Sequence, residues 1–532
     1  MGASKKYKVL IPTAGVGSRL GNHCDHVNKT LVPVANRPII SYIVEKFPPD
    51  VELIIDLGHK GELVQEFLTL AYPDRNFTFI WANRKGLTAD LCDYRDMLQC
   101  PFIFFTNDAI VTESIPRPDH NWIGYADIRA GNDYRSVVAD SWDDTVVKDL
   151  GEKGVHSEAK AYIGVCGIHD YKTFWEAMSA AKIKAEALGG TRINQGESFA
   201  LAVMVKQQSV KGVKFTWYDT GTVEALSHAN QVFGTDDDPN ILPKAQEHIW
   251  FCNGRVVKFS TDRDFIAQRV ARAKASLGGY VPEIEGSTAN MYCYPMVEGR
   301  VLSDTITMSR FKEFLVWLEG LWGDRQLLTV EAREAYRKFY QDKTIQRVQA
   351  YFDRFGYEDS AQCINGVNVP SAAELLELVD WTWISEGIPV RFHGDLHFEN
   401  TIDTGSTFSL LDWRQNFGGL SDYGDIYYDL AKLWHGLIVS HGIIHRGLYE
   451  IDIDGTTVNF DLLRRQILID CETWLQRYLT RHHYDCHKVK VLTALIYLNI
   501  AALHHQPYAE MLFHLGKLML HNLLEENSGT EI

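Results

Sequence analysis

Paired cysteines, long apolar runs and basic tracts are all missing from this sequence, and each absence removes a class of protein. The nine cysteines stand at 24, 92, 100, 166, 252, 293, 363, 471 and 486, an odd count with no C-x-x-C pair. That spacing argues against a disulfide framework and against a zinc knuckle, and it fits thiols kept reduced in a cytosol. No stretch reaches the roughly 20 apolar residues that a spanning helix needs. The most apolar late run, 491–503, ends at His504 and His505 and reads as a buried helix. The first eight residues are polar and basic, without the apolar region of a signal peptide. A cytoplasmic chain with no membrane insertion is the expectation. Basic tracts are equally scarce: 53 Lys and Arg against 69 Asp and Glu leave a net charge of -16. No overall field then draws in nucleic acid or anionic lipid, and any phosphate site has to be built locally. Internal repeats and low-complexity tracts are absent too.

What is present is a balance of 45% hydrophobic and 23% charged residues over 532 positions, enough for more than one core. Short β-branched or aromatic runs alternate with helical patterns through Lys8–Ile11, Ile39–Phe47, Leu53–Leu57, Gly61–Leu70, Phe77–Trp81 and Phe102–Phe105. This alternation predicts an α/β domain with a mostly parallel sheet and helices on both faces. The acidic, turn-forming segment 234–240 marks a boundary, giving domains 1–238 and 239–532. Beyond it come strand-like runs (249–252, 255–259, 291–296) and a mainly helical region from 311 to 527, interrupted by a Gly- and Asp-rich strip at 393–425. That order predicts an α+β second domain.

Two segments carry chemistry. In the first, Lys8-Val-Leu-Ile-Pro-Thr-Ala-Gly-Val-Gly-Ser-Arg-Leu20 runs from a strand into a loop. Its Ala14, Gly15, Gly17 and Ser18 allow close backbone approach to a nucleotide's phosphates, and Arg19 adds a fixed cation. Taken with Asn28-Lys29, Asn107-Asp108 and Trp217-Tyr-Asp-Thr-Gly-Thr222, this loop resembles the sugar-phosphate nucleotidyltransferases over most of residues 8–230. The resemblance implies that Asp108 and Asp219 hold Mg²⁺, that Arg19 and Lys29 neutralise a nucleoside triphosphate, and that the turn at Gly86 approaches the base. It also sets Lys153, in Glu152-Lys-Gly154, against the acceptor's phosphate. Two departures stand out: Asn28 precedes the lysine where the family usually has proline, and Gly154 replaces another common proline.

The second segment, Arg391-Phe-His-Gly-Asp-Leu-His-Phe-Glu-Asn400, is followed by Asp412 in Leu410-Leu-Asp-Trp-Arg414. It resembles the aminoglycoside phosphotransferase and choline kinase superfamily, whose fold is protein-kinase-like. The resemblance implies that Asp395 accepts or orients the acceptor hydroxyl, that Asn400 and Asp412 hold Mg²⁺ on ATP, and that Lys258 in its strand contacts the ATP phosphates. Asp422-Tyr-Gly-Asp-Ile-Tyr-Tyr-Asp-Leu-Ala431 resembles the stretch that packs behind this loop. The helix expected at 262–276 has Arg269, Arg272 and Lys274 but no glutamate to pair with Lys258, leaving Glu283 or Glu285 as substitutes.

A kinase that makes a phosphate monoester and a nucleotidyltransferase that consumes one are consecutive steps. The pairing resembles bacterial enzymes that activate precursors for capsule or lipopolysaccharide. The expected partners are therefore small molecules (ATP, a second nucleoside triphosphate and an acceptor) and not nucleic acid, with a homo-oligomer left open. A sugar acceptor competes with choline, ethanolamine or a polyol. Trp381, Trp383, Trp413 and Tyr423 offer material for a quaternary-ammonium cage, although such aromatics more often build core. A third reading keeps one half as a binding module without activity. The histidines at 482–487 and 504–505 match no standard zinc spacing.

Overall fold

The computed structural model describes residues 6–82, 87–142, 145–187, 196–235 and 244–528. Its chain divides into two compact units, one of residues 1–263 and 286–294, the other of 264–285 and 295–532. The boundary expected at 238/239 lies outside the described residues.

The first unit is built on a nine-stranded sheet whose main path runs 147–151, 136–139, 160–168, 102–105, 8–12, 52–57, 77–81. Lys8–Pro12 pairs in parallel with Glu52–Leu57 and Phe102–Phe105, and Glu52–Leu57 with Phe77–Trp81. Helices Ile39–Val44 and Gly61–Ala71 are set between these strands in sequence, close to where the apolar periodicity predicts them. The Phe102–Phe105 strand, Phe-Ile-Phe-Phe, is buried along its whole length, as a strand covered on both faces should be.

The sheet is mixed, less parallel than expected. Lys160–Ile168 runs antiparallel to its neighbours 102–105, 122–129 and 136–139. The reason is local: between 102 and 168 the described strands follow one another with no intervening helix, so there is no crossover element to return the chain in parallel. A four-stranded sheet in the order 247–252, 255–260, 291–295, 286–287 also groups with this unit. Trp250 is buried there and meets Phe67 edge-on at 5.2 Å.

The second unit is mainly helical, with helices Met308–Trp322, Lys343–Phe355, Ile426–Ile438, Gln466–Arg481, Cys486–Ala501 and Tyr508–Ser528. Cys486–Ala501 is the buried helix anticipated from its apolar run; Tyr497 Oη donates to His435 O at 2.7 Å and Thr493 Oγ1 to Ala431 O at 3.3 Å. One piece was not anticipated. Strands Tyr449–Asp454 and Thr457–Leu462 form a hairpin joined to Gln362–Ile364 and Val367–Val369, inside the stretch read as helical. No helix among the described residues is long and apolar enough to cross a membrane.

Candidate active sites

The first unit holds a cleft of about 810 Å³ lined by Ala14, Gly15, Arg19, Lys29, Asp108, Lys153 and Asp219, among others. Residues up to 205 positions apart in sequence thus reach one site through the sheet. Asp108 follows the Phe102–Phe105 strand, and Asp219 is brought beside it because Trp217–Asp219 pairs antiparallel with Ala109–Val111, placing Asp219 opposite Ala109. Thr220 N donates to Asp108 O at 2.9 Å and completes the turn.

Gly221 leaves an opening between these groups. A Cβ there would stand 3.0 Å from Arg19 Nη2, 3.1 Å from Asp219 Oδ1 and 3.6 Å from Asp108 Oδ2. Two carboxylates and a guanidinium therefore face one point. Asp108 Oδ2 receives Lys29 Nζ at 3.2 Å and its Oδ1 receives Thr106 Oγ1 at 2.7 Å. Burial works against its ionisation, but Lys29, Thr106 and Arg19 outweigh it and hold the carboxyl below its usual range. Asp219 accepts from Tyr134 Oη at 2.9 Å and from Gly221 N at 2.9 Å. Such a pair suits Mg²⁺, which takes one or two protein carboxylates and completes its shell with water and phosphate oxygens. Among the described residues, no group of three or more His, Cys, Asp or Glu side chains is arranged to hold a metal.

In the loop, Ala14, Gly15 and Arg19 line the cleft, whereas Gly17 and Ser18 do not. Gly17 has a different task. Its φ of +74° is left-handed, and a Cβ would come within 2.9 Å of both Cys24 Sγ and Lys29 Cβ, so glycine lets the loop close over the lysine. Gly86 lies outside the described residues. Gly154 has φ +77°, a conformation that proline cannot adopt, so this turn cannot copy a Glu-Lys-Pro geometry.

Asn28 explains the other departure. Fully buried, it donates from Nδ2 to Thr13 O at 3.0 Å and His59 O at 2.6 Å, and its Oδ1 accepts from Thr30 N at 2.9 Å. It ties together the loops after two parallel strands and the turn carrying Lys29. Proline could make none of these bonds. Motif matching also passed over Asp56 and Glu197, both buried cleft residues. Burial, opposed by the 2.6 Å bond from Tyr94 Oη and aided by nearby Asp90, raises Asp56 to about 7. Burial likewise raises Glu197 to about 7, against a 2.9 Å bond from Tyr162 Oη.

The second unit gathers the other strip. Asp395 is gripped by Lys432 Nζ at 2.7 Å and by Asn400 Nδ2 at 3.1 Å. Burial opposes its charge, yet Lys432 and His397 hold the carboxyl well below the usual range. Lys432 was not visible as a site residue; it follows Asp-Leu-Ala in a buried helix whose same face also carries Asp429 and His435. His397 stands between two carboxylates, Nε2 3.8 Å from Asp395 and Nδ1 3.1 Å from Glu399. Although burial disfavours the imidazolium, the two acids raise it to about 9. His393 is a buried positioning residue: its Nε2 bonds Leu411 O at 2.9 Å, its Nδ1 accepts from Asp395 N at 3.2 Å, and burial pushes it down to about 3.

Asp429 supports the loop from behind, accepting from His393 N at 2.8 Å, Gly394 N at 2.7 Å and Trp322 Nε1 at 3.2 Å. Asp425 accepts from Ile388 N at 2.9 Å and Tyr340 Oη at 2.7 Å. Asp429 thus packs directly behind the loop, whereas Asp425 holds the chain just before it at Ile388. The helix Arg263–Ala275 contributes arginines to the strip. Arg269 pairs with Asp412 at 3.0 Å, and buried Arg272 donates to Phe392 O at 2.6 Å and to Arg414 O. A metal at Asp412 therefore has to compete with Arg269. Lys258 is buried in Arg255–Ser260, within the first unit.

Three of the four aromatic residues make hydrogen bonds within the fold. Trp413 is fully buried and donates to Arg269 O at 2.9 Å, Trp383 donates to Asp485 at 3.2 Å, Trp381 donates to Leu376 O at 3.0 Å, and Tyr423 is exposed.

No family model matches the chain. Over 246 residues, 45% of its length, it is 22% identical to "Bifunctional protein GlmU" of Methanocaldococcus jannaschii, spanning 57% of that relative. Solved structures that align with the chain include a UDP-glucose pyrophosphorylase complexed with UDP-glucose (17% identity, 43% of this chain and 98% of that one, TM-score 0.37). Another is a CTP:phosphocholine cytidylyltransferase from Streptococcus pneumoniae (19%, 43% and 99%, TM-score 0.35). The similarity to sugar-phosphate nucleotidyltransferases covers the N-terminal half.

Proposed function

We propose that the chain is a bifunctional enzyme that phosphorylates a sugar-like alcohol with ATP and then transfers a nucleotidyl group to that phosphate, yielding an NDP-activated sugar and pyrophosphate. The observation carrying the reading is the convergence of Arg19, Lys29 and Lys153 with Asp108 and Asp219 in one cleft. Joining two polyanions requires charge neutralisation rather than a covalent nucleophile. Asp108 and Asp219 would hold Mg²⁺, which supplies Lewis-acid stabilisation of the triphosphate. Lys29 and Arg19 offset charge on that triphosphate, while Lys153 orients the acceptor phosphate.

In the second unit, Asp395 orients the acceptor hydroxyl. The hydroxyl oxygen bonds to the γ-phosphorus of ATP, the bond to ADP breaks, and the proton passes to the Asp395 carboxylate. Lys432 keeps that carboxylate ionised beforehand. Asn400 and Asp412 would hold Mg²⁺ on ATP. The product fits a role in supplying precursors for capsule or lipopolysaccharide.

One observation favours a second reading, in which the kinase half only binds: Arg269 occupies Asp412. ATP turnover across an acceptor panel separates the two. Wild type should form ADP and Asp395→Asn should lose about a thousandfold in rate. Equal inactivity of both proteins on every acceptor would leave the binding-module reading standing.

A further inference from the structure

Beside the Asp395 loop lies a second cavity, of about 360 Å³, lined by Lys338, Lys343, Arg414, Gln415, Asn416 and a single acid, Asp342, among others. Its place in the fold is set by three features. Lys338–Asp342 is a π-helical turn between two α-helices, a local widening that concentrates at functional sites. Arg414 N donates to His393 O at 2.9 Å, and a Cβ on Gly394 would touch Arg414 Cβ at 2.6 Å, so Arg414 is anchored directly to the catalytic strip. Phe339 then collects the cations: Lys343 Nζ sits 4.2 Å and the Arg414 guanidinium 5.0 Å from its ring centre.

The charge balance is unusual for a chain of net charge -16. Lys343 and Arg414 pair with no carboxylate among the described residues, and burial, joined by Arg414, Lys432 and Arg347 as like charges and opposed by Asp395, pushes the Lys343 amine well below its usual range. An amine and a guanidinium gathered against an aromatic ring without acid partners are disfavoured as cations, and an anionic ligand would relieve that cost by favouring the charged amine. We infer that this cavity receives an anionic group on the kinase's acceptor, a carboxylate or phosphate, and so selects acidic alcohols such as sugar acids over choline-like or neutral ones. The inference deepens the kinase reading: the hydroxyl would face Asp395 while the acceptor's anion rests on Lys343 and Arg414, with the amide of Gln415 as a further donor.

Isothermal titration on the full chain tests it with D-gluconate, D-glycerate, glycerol 3-phosphate, glucose and choline. At least one of the three anions should bind and glucose and choline should not. Lys343→Met and Arg414→Gln should each weaken that binding by about tenfold or more, as should Lys338→Gln, at an exposed position where folding is not at risk, to a smaller degree. With ATP present, the variants should raise KM for the anionic acceptor and leave KM for ATP unchanged. No binding of any anion by wild type, equal binding by the folded variants, or a rise confined to KM for ATP would overturn the assignment. Asp395→Asn keeps the two ideas apart: if turnover survives this change the kinase mechanism fails, while anion binding by the same variant still reports on the cavity.

Discussion

Asn28 shows how one buried amide can tie three loops into a site. Its amide holds two carbonyls and one N–H from three loops, so Asn28→Ala leaves Thr13 O and His59 O without these donors. A loss of about 2–3 kcal/mol is expected, read as a lower melting temperature of the first unit, with a larger fall in nucleotidyl transfer because Lys29 is no longer positioned. Asp56 gives a pH signature. Its folded pKa of about 7 lies above the unfolded carboxyl value, so the proton is held more tightly in the native state. Its contribution is favourable below the unfolded pKa and is lost as pH rises toward about 7. Asp56→Asn, which preserves an acceptor for Tyr94, should therefore flatten the decline in stability between pH 5 and 8, by about 2 kcal/mol; melts across that range check it. His397 has the same sign of linkage at a higher pH. Raised to about 9, its charged form stabilises the strip fully below the ordinary histidine pKa, and this is lost as pH climbs through about 9. His397→Gln should remove that alkaline limb from both stability and kinase rate profiles.

At the scale of elements, the sequence was most readable where a single period dominates. The strands at 8–12, 52–57, 77–81 and 102–105 and the helix at 61–71 lie within a residue or two of their apolar patterns, because burial on one or both faces fixes them locally. The hairpin 449–462 was hidden because its exposed, acidic alternation has no long apolar run, and its stability comes from joining Gln362–Ile364, about 90 residues earlier. The candidate site divides in the same way. Asp108, Asp219 and Asp395 announce themselves through neighbouring motif residues, whereas Lys432, Asp56 and Glu197 acquire meaning only through long-range proximity. The helix Arg263–Ala275 is the clearest case: it has no glutamate, and Arg269 and Arg272 face the strip instead. Arg272→Ala should cost about 2–3 kcal/mol, because the carbonyls of Phe392 and Arg414 lose a buried charged donor, and chemical denaturation of the second unit would register it.

At the scale of the whole molecule, each unit carries one aspartate kept ionised by a dedicated cation, Lys29 for Asp108 and Lys432 for Asp395. The proposed sequential phosphoryl and nucleotidyl transfer would use one such pair in each half. The most direct test is mass spectrometry of products formed by the full chain from ATP, CTP, GTP and UTP with a panel of sugars, sugar acids and alcohols. Wild type should give one NDP-linked acceptor. Asp219→Asn should stop at the acceptor phosphate, and Asp395→Asn should form the NDP product only when the acceptor phosphate is supplied. An NDP product that survives Asp219→Asn, or no phosphorylated acceptor from wild type with any member of the panel, would contradict the account.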